Sequence, residues 1–428
     1  MFTHSMRHAC TTFNLYLLTG LIAFAPMHSK VLGTAWLTFC VYGIYLLFNA
    51  HRFQQHTDLI AISTTSVWLK ICAAALTLAA ISALIWHEEF ATLNAPLRML
   101  LAAVAAYGVA HHHSLSPRTC RNISDALALA CVMALIWIGW LFMHDVQRVS
   151  LASNAIAWAV VISFYVCLLL PLALSAQVPA GRRRIWLCCA GCGIVAILLS
   201  QSRGAFLIIP WSCLLIVWFW RKRSTTTDGL GRTLPRLVLI ISIALATLWL
   251  APGDILRIRQ AAHEIQQVRS TENYNSSVGA RLYLWQMAIE GIRQSPWIGI
   301  GGAERLRRIK QAGAGGTDDH LAKLEAVRSL GHVHNEYLHA ALDGGLLGLT
   351  SFLATLLGMA ILIRQLARSA PVAAWQLGGV LCMHMSASLT NVNLAHNYYA
   401  TALALAVLLP LFAAQRYMTK DGASSCTY

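Results

Sequence analysis

The chain has 428 residues, of which 57% are hydrophobic and 11% charged, with a mean hydropathy of +0.59. A water-soluble domain carries about 25% charged residues, so a soluble enzyme and a disordered chain are both excluded. The 32 lysines and arginines against 17 aspartates and glutamates leave a net charge of +15, whose distribution along the chain separates a nucleic-acid binder from a protein facing anionic lipid.

Stretches apolar enough to cross ~30 Å of hydrocarbon as helices fall at 11–27, 31–49, 67–86, 97–111, 124–144, 152–175, 185–201, 204–220, 236–251, 343–363, 373–392 and 397–415. The expected fold is an all-α integral membrane protein of about twelve transmembrane helices. Residues 1–251 are expected to form a bundle of about nine spans, 252–342 a large helical loop, 343–415 the last three spans and 416–428 a tail. With the N-terminus inside, sixteen lysines and arginines, Arg182, Arg183 and Arg184 among them, fall in inside segments. The short outside loops hold four, Lys30, Arg98, Arg148 and Arg203. Sixteen against four fixes the orientation, with both termini cytoplasmic. The positive excess is thus a topology signal toward membrane lipids, and nucleic acid drops out as a partner.

The first apolar stretch lacks a small-residue cleavage site and reads as a retained helix. There is no Walker or Gly-rich nucleotide loop. The twelve cysteines lie mostly within spans and none falls in 252–342, so no disulfide framework is implied. Cys188, Cys189 and Cys192 imitate a metal spacing, but they sit in an apolar span without a nearby histidine and read as packing residues.

Residues 252–342 break the membrane pattern. Ile255, Ile258, Ala262, Ile265 and Val268 recur at helical spacing. Leu282, Trp285, Ile289 and Ile292 do the same after a cap at Ser276 or Ser277. Ser295-Pro296 ends that helix, and a glycine turn follows at 298–302. Asp318 or Asp319 is expected to cap a third helix through Leu330, and the glycine-rich run 312–316 reads as a hinge or lid. Outer amphipathic helices often serve only as anchors.

The segment closes with Gly331-His332-Val333-His334-Asn335-Glu336, then Asp343-Gly344-Gly345-Leu346-Leu347-Gly348. Two histidines therefore stand at the mouth of the bundle, where an imidazole can lose and regain a proton near neutral pH. His-x-His also resembles part of a metal site, with His339 or Asp319 as further ligands, but no third ligand has a characteristic spacing. Arg203 sits in a short outside turn, against the charge bias and almost submerged, and a guanidinium kept there pairs with an anion. Arg281 occupies the first turn of the second loop helix. Each alone has a plain explanation, a lipid phosphate for Arg203 and a solvated face for Arg281. Together their planar donor forks suit a diphosphate.

Leu199-Ser200-Gln201-Ser202-Arg203-Gly204-Ala205, Arg281-Leu282-x-x-Trp285, Pro296-Trp297-Ile298-Gly299-Ile300-Gly301 and His334-Asn335 followed by Gly345-x-x-Gly348 resemble motifs of bacterial O-antigen ligases. Their superfamily includes O-antigen polymerases and protein O-oligosaccharyltransferases. The likeness is carried by residues 199–348. It implies a helical bundle like those of other lipid-linked-sugar glycosyltransferases, on the inner membrane with its active site facing the periplasm. It further implies transfer of a glycan from undecaprenyl diphosphate to a sugar hydroxyl of lipid A–core, without a cofactor. His334 then corresponds to the motif's base and Arg203 and Arg281 to the arginines that handle the donor; Asn335 and His332 are candidates for support, His332 without a counterpart in the motif and its role open. The competing expectations are a polymerase or a protein O-oligosaccharyltransferase with the same donor and, from a different class, a polyprenyl-lipid transporter or flippase.

Overall fold

The computed structural model describes residues 20–49, 59–112, 117–144, 152–176, 178–223 and 258–423. In chain order the helices are α1 (Ser29–Phe48), α2 (Leu59–Ile85), α3 (Asn94–His112), α4 (Pro117–Met143), α5 (Ala155–Leu174), α6 (Ala180–Leu199), α7 (Ile208–Arg223), α8 (Ile258–Thr271), α9 (Ser277–Gln294), α10 (Gly302–Lys310), α11 (Asp318–Lys323), α12 (Glu325–Ser329), α13 (Glu336–Ser369), α14 (Pro371–Ser388) and α15 (Asn397–Ala423). Single 3-10 turns stand at Phe90–Leu93 and Arg203–Ala205. The described residues contain no strand.

A helix apolar on every side has no face to show water and belongs in the interior. α5 is that helix: every residue from Ala157 to Pro171 is buried. α4, α6, α14 and α15 pack around it, while α13 lies along α2 and α14. α1 and α3 approach closely because Gly43 lies against the Ala105 backbone and Gly108 against the Gly43 carbonyl, the small-residue packing that replaces the hydrophobic drive inside lipid. Leu37, Val41, Phe48, Leu84, Ile136, Phe142 and Leu357 remain exposed on the outside, a belt that suits hydrocarbon and not water.

Six helices are long and apolar enough to cross a membrane: Ser29–Phe48, Ala61–Ile85, Phe90–His111, Thr119–Met143, Ala155–Leu174 and Glu336–Ser369. Ile208–Arg221 and Asn397–Phe412 are apolar but shorter. α6 and α14 stand where spans 185–201 and 373–392 were expected and pack into the same bundle. Six, against an expectation of about twelve, is the number that length and composition support among the described residues. The expected span 236–251, and most of 11–27, lie outside them.

Residues 258–342 build a second core apart from the bundle, from Ala280, Leu284, Ala288, Ile300, Ile309, Leu324, Val327, Val333 and Leu342. Ser276 caps α9, its hydroxyl accepting from the Gly279 N–H at 3.0 Å. The third loop helix, expected to run unbroken, is interrupted at Leu324. Tyr274 N–H takes the Lys323 carbonyl at 3.1 Å, and Ala326 N–H turns to Asn275 Oδ1 at 3.1 Å. Those two bonds to a neighbouring segment replace rungs of the helix ladder. Thr317, not an aspartate, is its cap; Asp318 and Asp319 occupy the first turn, where the helix dipole favours negative charge. The 312–316 run forms the turn between α10 and α11, with Ala312 buried and Gly313 and Gly315 at φ 74° and 88°.

Two features join the outer core to the bundle. Trp86 Nε1 donates to the Ile298 carbonyl at 2.7 Å, and Glu88 accepts the Gly302 N–H at the start of α10. The other is a break in α13 at Gly345, with φ 58° and ψ −143°. There Leu346 N–H donates to the Pro296 carbonyl at 2.9 Å, while Ile300 and Gly301 N–H donate to the Leu342 and Asp343 carbonyls at 2.8 and 3.1 Å. The 296–301 motif is therefore plugged into the gap between the two halves of α13.

Candidate active site

His334 stands one residue before the cap of α13. Its φ of +54° is left-handed, a conformation a non-glycine side chain adopts only when its surroundings enforce it. Those surroundings are visible. Trp285 Nε1, on α9, donates to the Val333 carbonyl at 3.1 Å and holds the preceding peptide. Asn335 Oδ1 accepts the Leu338 N–H at 3.1 Å as the α13 cap, while its Nδ2 donates to the Leu389 carbonyl at 3.3 Å. Glu336, buried, accepts the Leu394 N–H at 3.2 Å. The His334 ring itself meets Asn391, Nδ1 to Oδ1, at 3.0 Å. Three successive residues, His334, Asn335 and Glu336, are thus clasped by the 389–394 loop that follows α14.

The other ring nitrogen of His334, Nε2, is buried and has no hydrogen-bond partner. His332 packs edge-on against the His334 ring with centroids 4.4 Å apart, and His396 lies 6.4 Å from His332. Burial lowers the His334 pKa to about 3; the charges of His332, Arg281 and His396 push the same way, against the Asn391 hydrogen bond. Burial also lowers His332 and His396. Burial therefore keeps the imidazole unprotonated, and so available as a base, at neutral pH, while lowering its basicity.

The sign of the pH dependence follows. The unfolded chain takes up protons on these histidines below about pH 6.5, whereas the folded chain binds fewer of them at the same pH. Their contribution to stability is complete above that pH and falls as pH drops toward the folded pKa, by up to about 1.4 kcal/mol per pH unit for each histidine. The protein should melt at a lower temperature at about pH 5 than at about pH 7, and His334→Gln should narrow the difference in a thermal melt. An unchanged difference would contradict the buried neutral state.

Arg281 lies on α9 one turn before Trp285, so the two share a face. That explains the Arg281-Leu282-x-x-Trp285 spacing: Trp285 fixes the histidine backbone while the Arg281 charge is felt by the ring. Arg203 begins the 3-10 turn after α6, and Gln201 just before it has φ 53°. The Arg203 side chain lies outside the described residues, but its backbone position is informative. A Cβ placed on Gly204 would sit 3.0 Å from Thr390 Oγ1, the residue beside Asn391. The Arg203 turn and the His334 segment therefore both meet the 389–394 loop, and α9, with Arg281, reaches the His334 segment through Trp285.

His332 is adjacent to His334, whereas Asn335 serves as cap and strut. Asn391 carries no signal of its own in the sequence beyond the run of three asparagines and a histidine at 391–398. Glu88, in the turn after α2, likewise acquires its role only through the distant Gly302 N–H that it accepts at the start of α10. Arg305 pairs with Asp343 at 2.7 Å and also donates to the Gly331 carbonyl, and His339 stands 3.6 Å from Asp343. These residues border a cavity of about 520 Å³ between α2, α3 and the first half of α13. Among the described residues, no group of three or more His, Cys, Asp or Glu is arranged to hold a metal ion.

Residues 188–353 match the family model described as O-antigen ligase. An uncharacterized protein of Haemophilus influenzae (strain ATCC 51907 / DSM 11121 / KW20 / Rd) is 27% identical over 176 residues. The match covers 39% of this chain and 41% of that protein, so the chain spans about two fifths of that relative's length.

Proposed function

We propose, from the match of residues 188–353 to the O-antigen ligase family model, that the chain transfers O-antigen glycan from undecaprenyl diphosphate to a sugar hydroxyl of lipid A–core. The reaction takes place on the periplasmic face of the inner membrane, in a bundle of about twelve spans with both termini cytoplasmic. The observation that carries this reading is the neutral, partnerless Nε2 of His334 beside Arg281, at a loop that also contacts the Arg203 turn.

In this mechanism His334 Nε2 removes the proton from the acceptor hydroxyl as its oxygen attacks the anomeric carbon. The bond from that carbon to the diphosphate breaks, and the leaving diphosphate gathers negative charge. Arg203 and Arg281 bind it through their donor forks and stabilise that charge. The two guanidiniums supply what a divalent metal would otherwise supply, so transfer is metal-independent. A single displacement inverts the anomeric centre. Since Nε2 is covered in this structure, acceptor binding opens the pocket locally, and closure around the sugar keeps water from competing.

The test is a reconstituted assay with purified protein, undecaprenyl-diphosphate-linked glycan and lipid A–core. Glycan is expected to move to lipid A–core, undiminished by EDTA, and Arg203→Ala is expected to raise the KM for the donor at least tenfold, the loss of one charge-assisted pair. Growth of the glycan on the lipid carrier would assign a polymerase instead, transfer to a peptide serine a protein O-oligosaccharyltransferase, and lipid movement without bond formation a flippase.

A further inference from the structure

Resting on the ligase reading above, we propose that Asn391 is the positioning residue for the His334 base, fixing the imidazole in the tautomer that leaves Nε2 free to accept a proton. Asn391 is fully buried, and its Oδ1 lies 3.0 Å from His334 Nδ1. An amide can present either its oxygen or its nitrogen to a histidine, so what fixes the amide decides the tautomer. Here Asn391 Nδ2 is directed at Asn393 Oδ1, 2.9 Å away, which leaves the oxygen for His334. The Asn391 backbone N–H is tied to the Ala387 carbonyl at 3.1 Å as α14 ends. The bonds from Asn335 to Leu389 and from Leu394 to Glu336 hold the loop on either side.

With Nδ1–H donating to Asn391, the lone pair is on Nε2, the nitrogen without a partner. When Nε2 takes the acceptor proton, the Nδ1–H bond strengthens against the Asn391 carbonyl and steadies the imidazolium. The third member of a nucleophile–base–orienter set does the same work in other hydrolases and transferases. A neutral amide suits this pocket. The charged or titratable groups that bear on His334 are Arg281 on α9, His332 on its own segment and His396 after α14. A carboxylate in place of the amide would hold the imidazolium too tightly and make the base titrate near neutrality.

The experiment compares wild type, Asn391→Ala and Asn391→Asp in the reconstituted assay over pH, with imidazole 15N spectra of His334 in the solubilised protein. Asn391→Ala is expected to lower kcat about tenfold to a hundredfold, part of the whole benefit of a general base, with little change in donor KM. Asn391→Asp is expected to keep substantial activity at about pH 8 but to lose it below about pH 6.5, whereas wild type stays flat to about pH 5. In wild type the spectra should show Nδ1 protonated and Nε2 bare. A wild-type kcat in Asn391→Ala, superposable pH profiles for Asn391→Asp and wild type, or a protonated Nε2 in wild type would each overturn the proposal. If wild type transfers no glycan, the ligase reading fails, and the spectra still decide the tautomer. If Asn391→Ala does not fold, the Asn391→Asp profile and the wild-type spectra carry the test.

Discussion

His334→Ala should abolish glycan transfer for practical purposes, lowering kcat by about a hundredfold to ten-thousandfold. That corresponds to a transition state raised by about 3–5 kcal/mol. The loss has two sources. The base itself is gone, and Asn391 Oδ1 is left in a buried site without the donor it held at 3.0 Å, at a cost of about 1–3 kcal/mol. The second acts on stability, so the variant should be checked by gel filtration and thermal melting before its kinetics are read. His334→Gln, which keeps a side-chain donor near Asn391, should recover stability while remaining inactive. In cells, lipid-linked donor should accumulate. Transfer at the wild-type rate by either variant would remove His334 from the mechanism.

Gly345→Ala should cost about 3–5 kcal/mol of stability, the sum of a forbidden backbone conformation and an overpacked contact. Gly345 has φ 58° and ψ −143°, a region essentially reserved for glycine. A Cβ there would collide with the backbone of Trp297, Ile298 and Gly299, and backbone cannot move aside as a flexible side chain can. Gly348 is similarly placed against the Ala340 carbonyl across the break. Against a total stability of about 5–15 kcal/mol, that loss leaves little folded protein, seen as a collapse in membrane yield. Gly191→Ala in α6 is the control. It meets nothing within 4 Å and should be neutral or stabilising by about 0.5–1 kcal/mol. A Gly345→Ala protein as abundant and as heat-stable as that control would mean the break in α13 is not required.

The sequence made the candidate site legible unevenly. Arg203 stood out because a guanidinium is costly where the hydropathy pattern placed it, and His334 and Arg281 because their local motifs carry recognisable spacings. The helix boundaries set by local chemistry were also legible: the Ser276 cap and the stop at Ser295-Pro296. What the chain did not disclose depends on partners distant in sequence. Asn391 is 57 residues from His334, and no periodicity links the two. The break at Leu324 arises from backbone bonds to Tyr274 and Asn275, which override a helical pattern that continues through the gap. Glu88 reads as a turn residue until α10 is seen to begin above it. Gly345-x-x-Gly348 was legible as a motif, but its reason, the 296–301 segment lodged in a broken helix, is tertiary.

The clasp of His334, Asn335 and Glu336 by the 389–394 loop also has a consequence in time. A chain is synthesised from its N-terminus, so His334 emerges well before the residues that orient it. Until α14 has been inserted and the loop beyond it has turned back, the imidazole has no Asn391 to face and α13 lacks two of its outer struts. A nascent chain carrying every arginine discussed here therefore still lacks the contact that fixes the His334 ring.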